Sequence, residues 1–214
     1  DWSSDVCSSD LDLKSDEGRE IFWKLLDTAD VVLENFRTGV VDKLGIGYEA
    51  ARARKPNIIY CSVNAYGETP EFATRPGREV LIQALTGMQT RYGGAKPAQN
   101  ALNATDYATG LGATLGIALA LLHRQRTGEG QYVTSALIYS GTLLQSSLLQ
   151  DFAGKQWTEP GGLNARGRGP LNRAYQASDG WVYMVAHKEA LAQCPRSEEH
   201  TSELQSRLHL VCRL

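Results

Sequence analysis

The sequence has 214 residues, of which 42% are hydrophobic and 21% charged, proportions typical of a soluble globular chain. Lysine and arginine total 22 against 24 aspartate and glutamate residues, without a basic block, so the charge pattern argues against a nucleic-acid partner. The longest apolar stretch, residues 111–122, is short for a bilayer span and contains glycine, and we therefore expect no membrane partner.

Both ends of the chain resemble translated sequencing adapter rather than protein. The stretches are DWSSDVCSSDL at 1–11 and RSEEHTSELQS at 196–206. Back-translating the first and reading its complementary strand one frame over can yield the second. We therefore interpret 1–11 and 196–214 as artefact, and 12–195 as a fragment of a longer protein.

Cysteine and histidine residues restrict the chemistry. Cys61 lies in an apolar strand pattern and Cys194 lies beside the suspect end, which predicts no disulfide framework and a reduced, cytoplasmic setting. His123 and His187 are far apart and lack neighbouring cysteines or paired carboxylates at ligand spacing. No metal site is predicted.

Helix and strand patterns alternate in the first part of the chain. They predict a helix at 16–28, a buried strand at 29–36, helical turns at 40–44 and 48–55, and a second strand at 57–63. Continuous apolar runs are typical of parallel strands covered on both faces. The order strand, helix, strand implies a right-handed crossover and an α/β fold.

Later patterns predict helices at 79–88, from Asp106 to about Thr127, and at 135–152. In the middle helix Leu111, Leu115, Leu119 and Leu122 form one apolar stripe, so we expect it to be deeply buried, with small residues allowing close backbone approach. The first domain is therefore assigned to 12–153.

A linker and a second domain follow. Residues 154–170 are rich in glycine, arginine and proline and carry no periodicity. Strand patterns at 173–177 and 181–186 flank Asp179-Gly180, a pair that favours a tight hairpin turn. We assign 171–195 to the start of a small domain.

Asp106 stands at a helix start, where a carboxylate either caps the helix by accepting backbone N–H bonds or acts as a nucleophile. Position alone favours the cap. Phe36 ends the first predicted strand and Arg37 and Lys43 follow it, where open α/β sheets place ligand crevices. Arg37 and Lys43 could hold phosphates or a carboxylate, although spacing alone favours a turn with solvated charges.

Several ordered segments resemble the family III CoA-transferases, also called the carnitine dehydratase and bile-acid-inducible F family. They are LDLK at 11–14, ENFRTG at 34–39, NIIYCSV at 57–63, DYATG at 106–110, ALLHRQRTGEGQ at 120–131 and RAYQASDGWVYMVA at 173–186. The resemblance implies a Rossmann-like α/β large domain, followed here by the truncated start of an α+β small domain. It also implies an interlocked homodimer.

The implied activity moves CoA between an acyl-CoA donor and a carboxylic acid acceptor. By resemblance, Asp106 is the catalytic residue, which forms mixed anhydrides and an aspartyl-CoA thioester. The resemblance implies no tightly bound cofactor, because the coenzyme A thioester is the substrate. Residues on CoA-contacting positions are Asp12, Leu13, Lys14, Asn35, Phe36, Arg37, Lys43, Gly77, Arg78 and Glu79.

Two residues depart from the family pattern. Thr38 replaces a proline, which loosens the turn without removing a ligand. Arg78 stands where the related acyl-CoA racemases have a histidine base, and arginine is a poor base because it stays protonated. Racemase or epimerase activity is therefore the second alternative, and an inactive truncated fragment is the third. The family's glycine loop could correspond to 161–162 or to 167 and 169, although flexible linker glycines are the favoured explanation there. The donor and acceptor acids stay open.

Overall fold

The computed structural model describes residues 11–68, 71–94, 96, 98, 102–146, 150, 152–155, 162, 165–169 and 171–185. The described residues of 1–88 and 100–150 form one compact unit, and those of 89–99 and 151–214 form a second. The domain bounds expected from the sequence stay a prediction. Apart from residue 11, the two end segments interpreted as adapter lie outside the described residues.

The helices and strands are α1 (Asp16–Thr28), β1 (Val31–Glu34), α2 (Val40–Lys43), α3 (Tyr48–Arg54), β2 (Ile59–Asn64), α4 (Glu79–Leu85), α5 (Met88–Gly93), α6 (Ala104–Thr127), β3 (Gln131–Ala136), α7 (Leu137–Leu144), β4 (Gly167–Gly169), β5 (Asn172–Gln176) and β6 (Trp181–Val185). Helix α1 begins as its sequence predicts, since the Ser15 hydroxyl accepts the Gly18 N–H at 3.0 Å.

The first unit contains a parallel sheet with strand order β1-β2-β3. Its central strand β2 is buried at all positions but one, as the continuous apolar run at 57–63 predicts. Leu26 of α1, Ala51 of α3, Ile58 and Tyr60 form a core cluster under the sheet. The buried Tyr60 hydroxyl donates to a backbone carbonyl oxygen at 3.1 Å. The α/β architecture expected from the sequence is confirmed.

Residues 131–136 form a third parallel strand, which the sequence pattern did not predict. The helix predicted at 135–152 is present but shorter among the described residues. Helix α7 begins only at Leu137 and ends at Leu144. Tyr132, Val133 and Thr134 favour a strand, and Gly130 admits the chain close to β2 because a Cβ there would lie 2.2 Å from a backbone oxygen. Helix α6 is thus the crossover connection between β2 and β3.

Helix α6 packs through its small residues and not through its leucines. Ala113 and Ala120 are buried, whereas the four stripe leucines are 43–72% exposed. A Cβ on Gly116 would lie 2.7 Å from Cγ1 of Val133 on β3. The predicted close backbone approach is confirmed, and the predicted deep burial of the leucine stripe is wrong within the described residues.

The length and composition of α6 also match a membrane-crossing helix, since it has 24 residues and a window of mean hydropathy 1.3. The apolar stretch at 111–122 was too short by itself to suggest a membrane-crossing helix. One such helix is weak grounds for a membrane span, because core helices of soluble proteins have the same length and composition.

The second unit contains an antiparallel sheet of order β4-β5-β6. Strands β5 and β6 form the predicted hairpin, with Gln176 opposite Trp181 and the Ala177 N–H donating to the Gly180 carbonyl at 2.8 Å. Residues 167–169, expected in a linker without regular structure, form strand β4.

Candidate active site at the N-terminus of α6

Asp106 lies in the first turn of α6 and its side chain is exposed. Thr105, directly before it, is fully buried, so the helix start is anchored while the neighbouring carboxylate faces solvent. Asn103 at the N-cap position makes no capping side-chain hydrogen bond with the described residues. The carboxylate of Asp106 is therefore accessible to a substrate, which a nucleophile requires.

The carboxylate that caps α6 belongs to Glu79, the first residue of α4. Its Oε2 accepts the Asp106 N–H at 2.7 Å and the Thr105 hydroxyl, and its Oε1 accepts the Thr105 N–H at 3.1 Å. Oε1 also accepts from the Gln83 amide at 2.6 Å. Glu79 is only 6% exposed. The capping role that position suggested for Asp106 is thus filled by a residue 27 positions earlier in the chain.

The two carboxyl groups have opposite pKa shifts. Partial desolvation at the helix start raises the pKa of Asp106, and the negative charge of Glu79 raises that pKa further. Burial alone would also raise the pKa of Glu79, but the hydrogen bonds from Thr105, Gln83 and the Asp106 N–H outweigh it and lower the pKa. Backbone N–H groups at a helix start favour an ionised carboxylate, but at Asp106 they do not outweigh the desolvation and the charge of Glu79.

A hydroxyl network continues the anchoring along α6. The Thr109 hydroxyl donates to the Thr105 carbonyl at 2.6 Å and lies 2.8 Å from the Ser140 hydroxyl oxygen on α7. The Ser135 hydroxyl at the end of β3 donates to the Thr109 carbonyl at 3.0 Å. These bonds hold the first two turns of α6 against β3 and α7, so the backbone position of Asp106 is set by three elements.

A second candidate region lies beyond β1. Asn35, Phe36, Arg37 and Lys43 are all exposed there. Arg37 lines an open pocket of ≈ 190 Å³. The other residues lining the pocket are Glu34, Thr38, Gly39, Val41, Asp42, Tyr48, Glu49, Tyr60, Ser62, Glu68 and Tyr132.

The pocket is acidic and aromatic. Its lining holds Arg37 as the one cation, against four carboxylates, so among the described residues phosphate binding would depend on Arg37 and nearby cations. Tyr48 and Tyr132 pack with ring centroids 5.0 Å apart and ring planes tilted by 34°, and such aromatic side chains suit a planar ring as ligand. Sequence reasoning missed these tyrosines because Tyr132 was not recognised as a strand residue opposite Tyr60.

The remaining predicted residues lie in two other places. Asp12, Leu13 and Lys14 form the turn before α1, where the Asp12 carboxylate accepts the Lys14 N–H at 3.0 Å. Gly77 packs against Ala65, with space for no Cβ, and Arg78 is exposed beside the start of α4. The structure brings Glu79 to Asp106 but leaves Asp106 outside the lining of the described pocket. The CoA contacts predicted for all of these residues stay predictions.

Comparison with known proteins identifies the family of this chain. The model of CoA-transferase family III matches residues 7–203. Succinyl-CoA:mesaconate CoA-transferase of Haloarcula hispanica is 33% identical over 198 residues, which cover 87% of this chain and 50% of that protein. Alpha-methylacyl-CoA racemase of Homo sapiens is 33% identical over 174 residues, covering 79% of this chain and 46% of the racemase.

The fold agrees with a solved structure. The crystal structure of Rv3272 from M. tuberculosis superposes with a TM-score of 0.72 and 31% sequence identity, covering 86% of this chain and 48% of that chain. The chain spans about half the length of the curated relatives it matches. On the family match and these identities, the chain belongs to CoA-transferase family III.

Proposed function

We propose that this chain carries the nucleophile of a CoA-transferase that moves CoA from an acyl-CoA donor to a carboxylic acid acceptor. The observation that carries the proposal is the exposed Asp106 on an anchored helix start, within a chain of this family. A cytoplasmic location is part of the proposal and rests on the cysteine pattern alone.

The proposed reaction has four steps. Ionised Asp106 attacks the donor thioester carbonyl, forming a mixed anhydride and expelling CoA thiolate. The thiolate attacks the aspartyl carbonyl of the anhydride, which gives an aspartyl-CoA thioester and releases the donor acid. The acceptor carboxylate then attacks the aspartyl carbonyl of this thioester, forming a second mixed anhydride and again releasing the thiolate. Finally the thiolate attacks the acceptor carbonyl, which forms the new acyl-CoA and regenerates the Asp106 carboxylate.

The surroundings of Asp106 suit this sequence. A carboxylate with a raised pKa is held in a less stabilised ionised form and is therefore more reactive once ionised. Its exposure leaves room for the pantetheine arm of CoA. The polarity of the helix start favours negative charge developing nearby.

The family resemblance assigns CoA binding to residues after β1 and to residues before α1. Arg37 and Lys43 supply cations for phosphates, and exposed Phe36 offers a face for the adenine. Asp12, Lys14 and Gly77 belong to the same proposed path. No tightly bound cofactor is needed, and the active assembly is proposed to be the interlocked homodimer of the family.

Racemase or epimerase activity is the second candidate, favoured by the similarity to alpha-methylacyl-CoA racemase. It requires a base that removes the proton next to the thioester carbonyl, and Arg78 is a poor one. We therefore expect no incorporation of deuterium from heavy water into a 2-methylacyl-CoA in the absence of an acceptor acid.

Trapping tests the proposal directly. The 214-residue chain is incubated with succinyl-CoA, the donor named for the Haloarcula relative, and its mass is measured before and after hydroxylamine treatment. We expect a CoA adduct that hydroxylamine converts to a hydroxamate mapped to Asp106. Asp106→Asn should abolish both, whereas Asp16→Asn should not, because Asp16 is an exposed aspartate in the first turn of another helix.

Two results would contradict the proposal. One is an adduct that forms equally in Asp106→Asn. The other is a chain that unfolds cooperatively in urea and yet gives no adduct, which would favour the inactive fragment. Aggregation of the chain on expression would also favour that alternative.

A further inference from the structure

We infer that Glu79 is the positioning residue of this site: it holds the backbone of Asp106 in place by capping α6 and places a fixed negative charge beside the nucleophile. The inference rests on the proposed function for its catalytic meaning. It differs from the prediction that Glu79 contacts CoA.

The hydrogen bonds leave the Glu79 carboxylate little capacity for another ligand. Its two oxygens accept two backbone N–H groups, the Thr105 hydroxyl and the Gln83 amide. A carboxylate offers about four acceptor sites, so these donors occupy them. The side chain is also buried, which keeps a CoA molecule from reaching it.

Capping determines where Asp106 can be. The Asp106 N–H lies 2.7 Å from Glu79 Oε2, so the nucleophile and its positioning residue are joined through the backbone of the nucleophile itself. Three polar groups of Thr105 are hydrogen-bonded: its N–H and its hydroxyl donate to Glu79, and its carbonyl accepts from the Thr109 hydroxyl. A nucleophile must meet the thioester carbon within a few tenths of an ångström, and this clamp supplies that precision.

The negative charge of Glu79 changes the relative stability of free Asp106 and its covalent intermediates. Asp106 is negative in the free enzyme and neutral as an anhydride or a thioester. A neighbouring negative charge therefore disfavours the free carboxylate relative to both intermediates. The repulsion between Glu79 and Asp106 is relieved on acylation and returns when the free carboxylate is regenerated.

No other charged group on the packed elements competes with Glu79. The elements packed most extensively on α6 are β3, α7, β2 and α4. Apart from Glu79, their titratable side chains are Tyr60 and Cys61 on β2, Tyr132 on β3 and Tyr139 on α7, all neutral near pH 7. Among the described residues, Glu79 is the charged group whose field raises the pKa of Asp106.

The test separates the cap from the charge without requiring turnover. In Glu79→Gln an amide oxygen can still accept backbone N–H groups but the charge is gone, whereas Glu79→Ala loses both. The titration of the Asp106 side-chain carboxyl is followed by carbon-13 NMR, and the exchange of the Thr105 and Asp106 amides by hydrogen–deuterium exchange. Glu129→Gln, near the opposite end of α6, is the matched control for a lost negative charge.

We expect the Asp106 titration midpoint to fall in Glu79→Gln and to stay unchanged in Glu129→Gln. In Glu79→Ala the two amides should exchange roughly five- to tenfold faster, as loss of one cap predicts. An unchanged Asp106 midpoint together with unchanged amide exchange would overturn the inference. A wild-type chain that shows both effects but never forms the CoA adduct would refute the proposed function and leave the positioning role standing.

Discussion

Two glycines on one helix provide a sharp test of how α6 packs. A Cβ added to Gly110 would meet nothing within 4 Å, whereas a Cβ on Gly116 would lie 2.7 Å from Val133 Cγ1. Replacing glycine by alanine inside a helix is intrinsically worth about 0.5–1 kcal/mol. Forcing an extra methyl group into a packed contact costs about 1–3 kcal/mol.

Gly110→Ala should therefore increase the free energy of unfolding by about 0.5–1 kcal/mol. In Gly116→Ala the same gain is outweighed, and the difference between the two variants should equal the packing cost, about 1–3 kcal/mol. The measurement is urea unfolding followed by far-UV circular dichroism. Equal m-values, the slopes of unfolding free energy against urea concentration, would show that both variants expose the same amount of surface on unfolding.

A double-mutant cycle assigns the cost to one contact. Gly116→Ala should cost less stability in a Val133→Ala background than in the wild-type chain, because the clashing methyl group is removed. Equal unfolding midpoints for Gly110→Ala and Gly116→Ala would refute the reasoning, since α6 would then not approach β3 as closely as described.

The other predictions concern the sheet and the active site. Gly130→Ala should lower the free energy of unfolding by about 2–4 kcal/mol, because its Cβ would lie 2.2 Å from a backbone oxygen that cannot move aside. Urea unfolding midpoints check this, and a loss of stability smaller than that of Gly116→Ala would contradict it. Tyr60→Phe should cost about 1 kcal/mol in the same assay through its lost buried hydrogen bond, and unchanged stability would count against that bond. Burial raises the pKa of the Cys61 thiol, so peptide mass spectrometry should find it unlabelled by iodoacetamide until urea unfolds the chain. Folding lowers the pKa of Glu79, so ionised Glu79 contributes stability above about its ordinary value of 4.5 that is lost as the pH falls through its folded pKa. Acid unfolding of Glu79→Gln should lack this loss, and identical acid profiles would contradict the cap.

Local features of the fold could be read from the sequence. The predicted helix bounds at 16–28 agree with α1, because the Ser15 cap and an amphipathic repeat both act within a few residues. The hairpin around Asp179-Gly180 was predictable for the same reason, since the turn residues and strand patterns are adjacent in the chain.

Two errors arose where neighbours distant in the sequence decide the structure. The leucine stripe of α6 was correctly placed on one face, but periodicity does not say what covers that face, and the sheet receives the small residues instead. Strand β3 was missed: residues 131–134 received no assignment, and the predicted helix at 135–152 overlaps only the last two residues of the strand. Its pairing with Ile59–Asn64 makes it a strand, and that partner lies about 70 positions away.

The sequence by itself determined the family pattern, the alternation of helices and strands, and the choice of Asp106 as the candidate nucleophile. Only the tertiary structure decided what surrounds that carboxylate. Glu79 and Asp106 are 27 positions apart, and no spacing rule predicts that one will cap the helix of the other. A hydrogen bond depends on where folded backbones meet, and a neighbouring charge acts through space, so the cap and the electrostatics of the site exist only once α4 packs on α6.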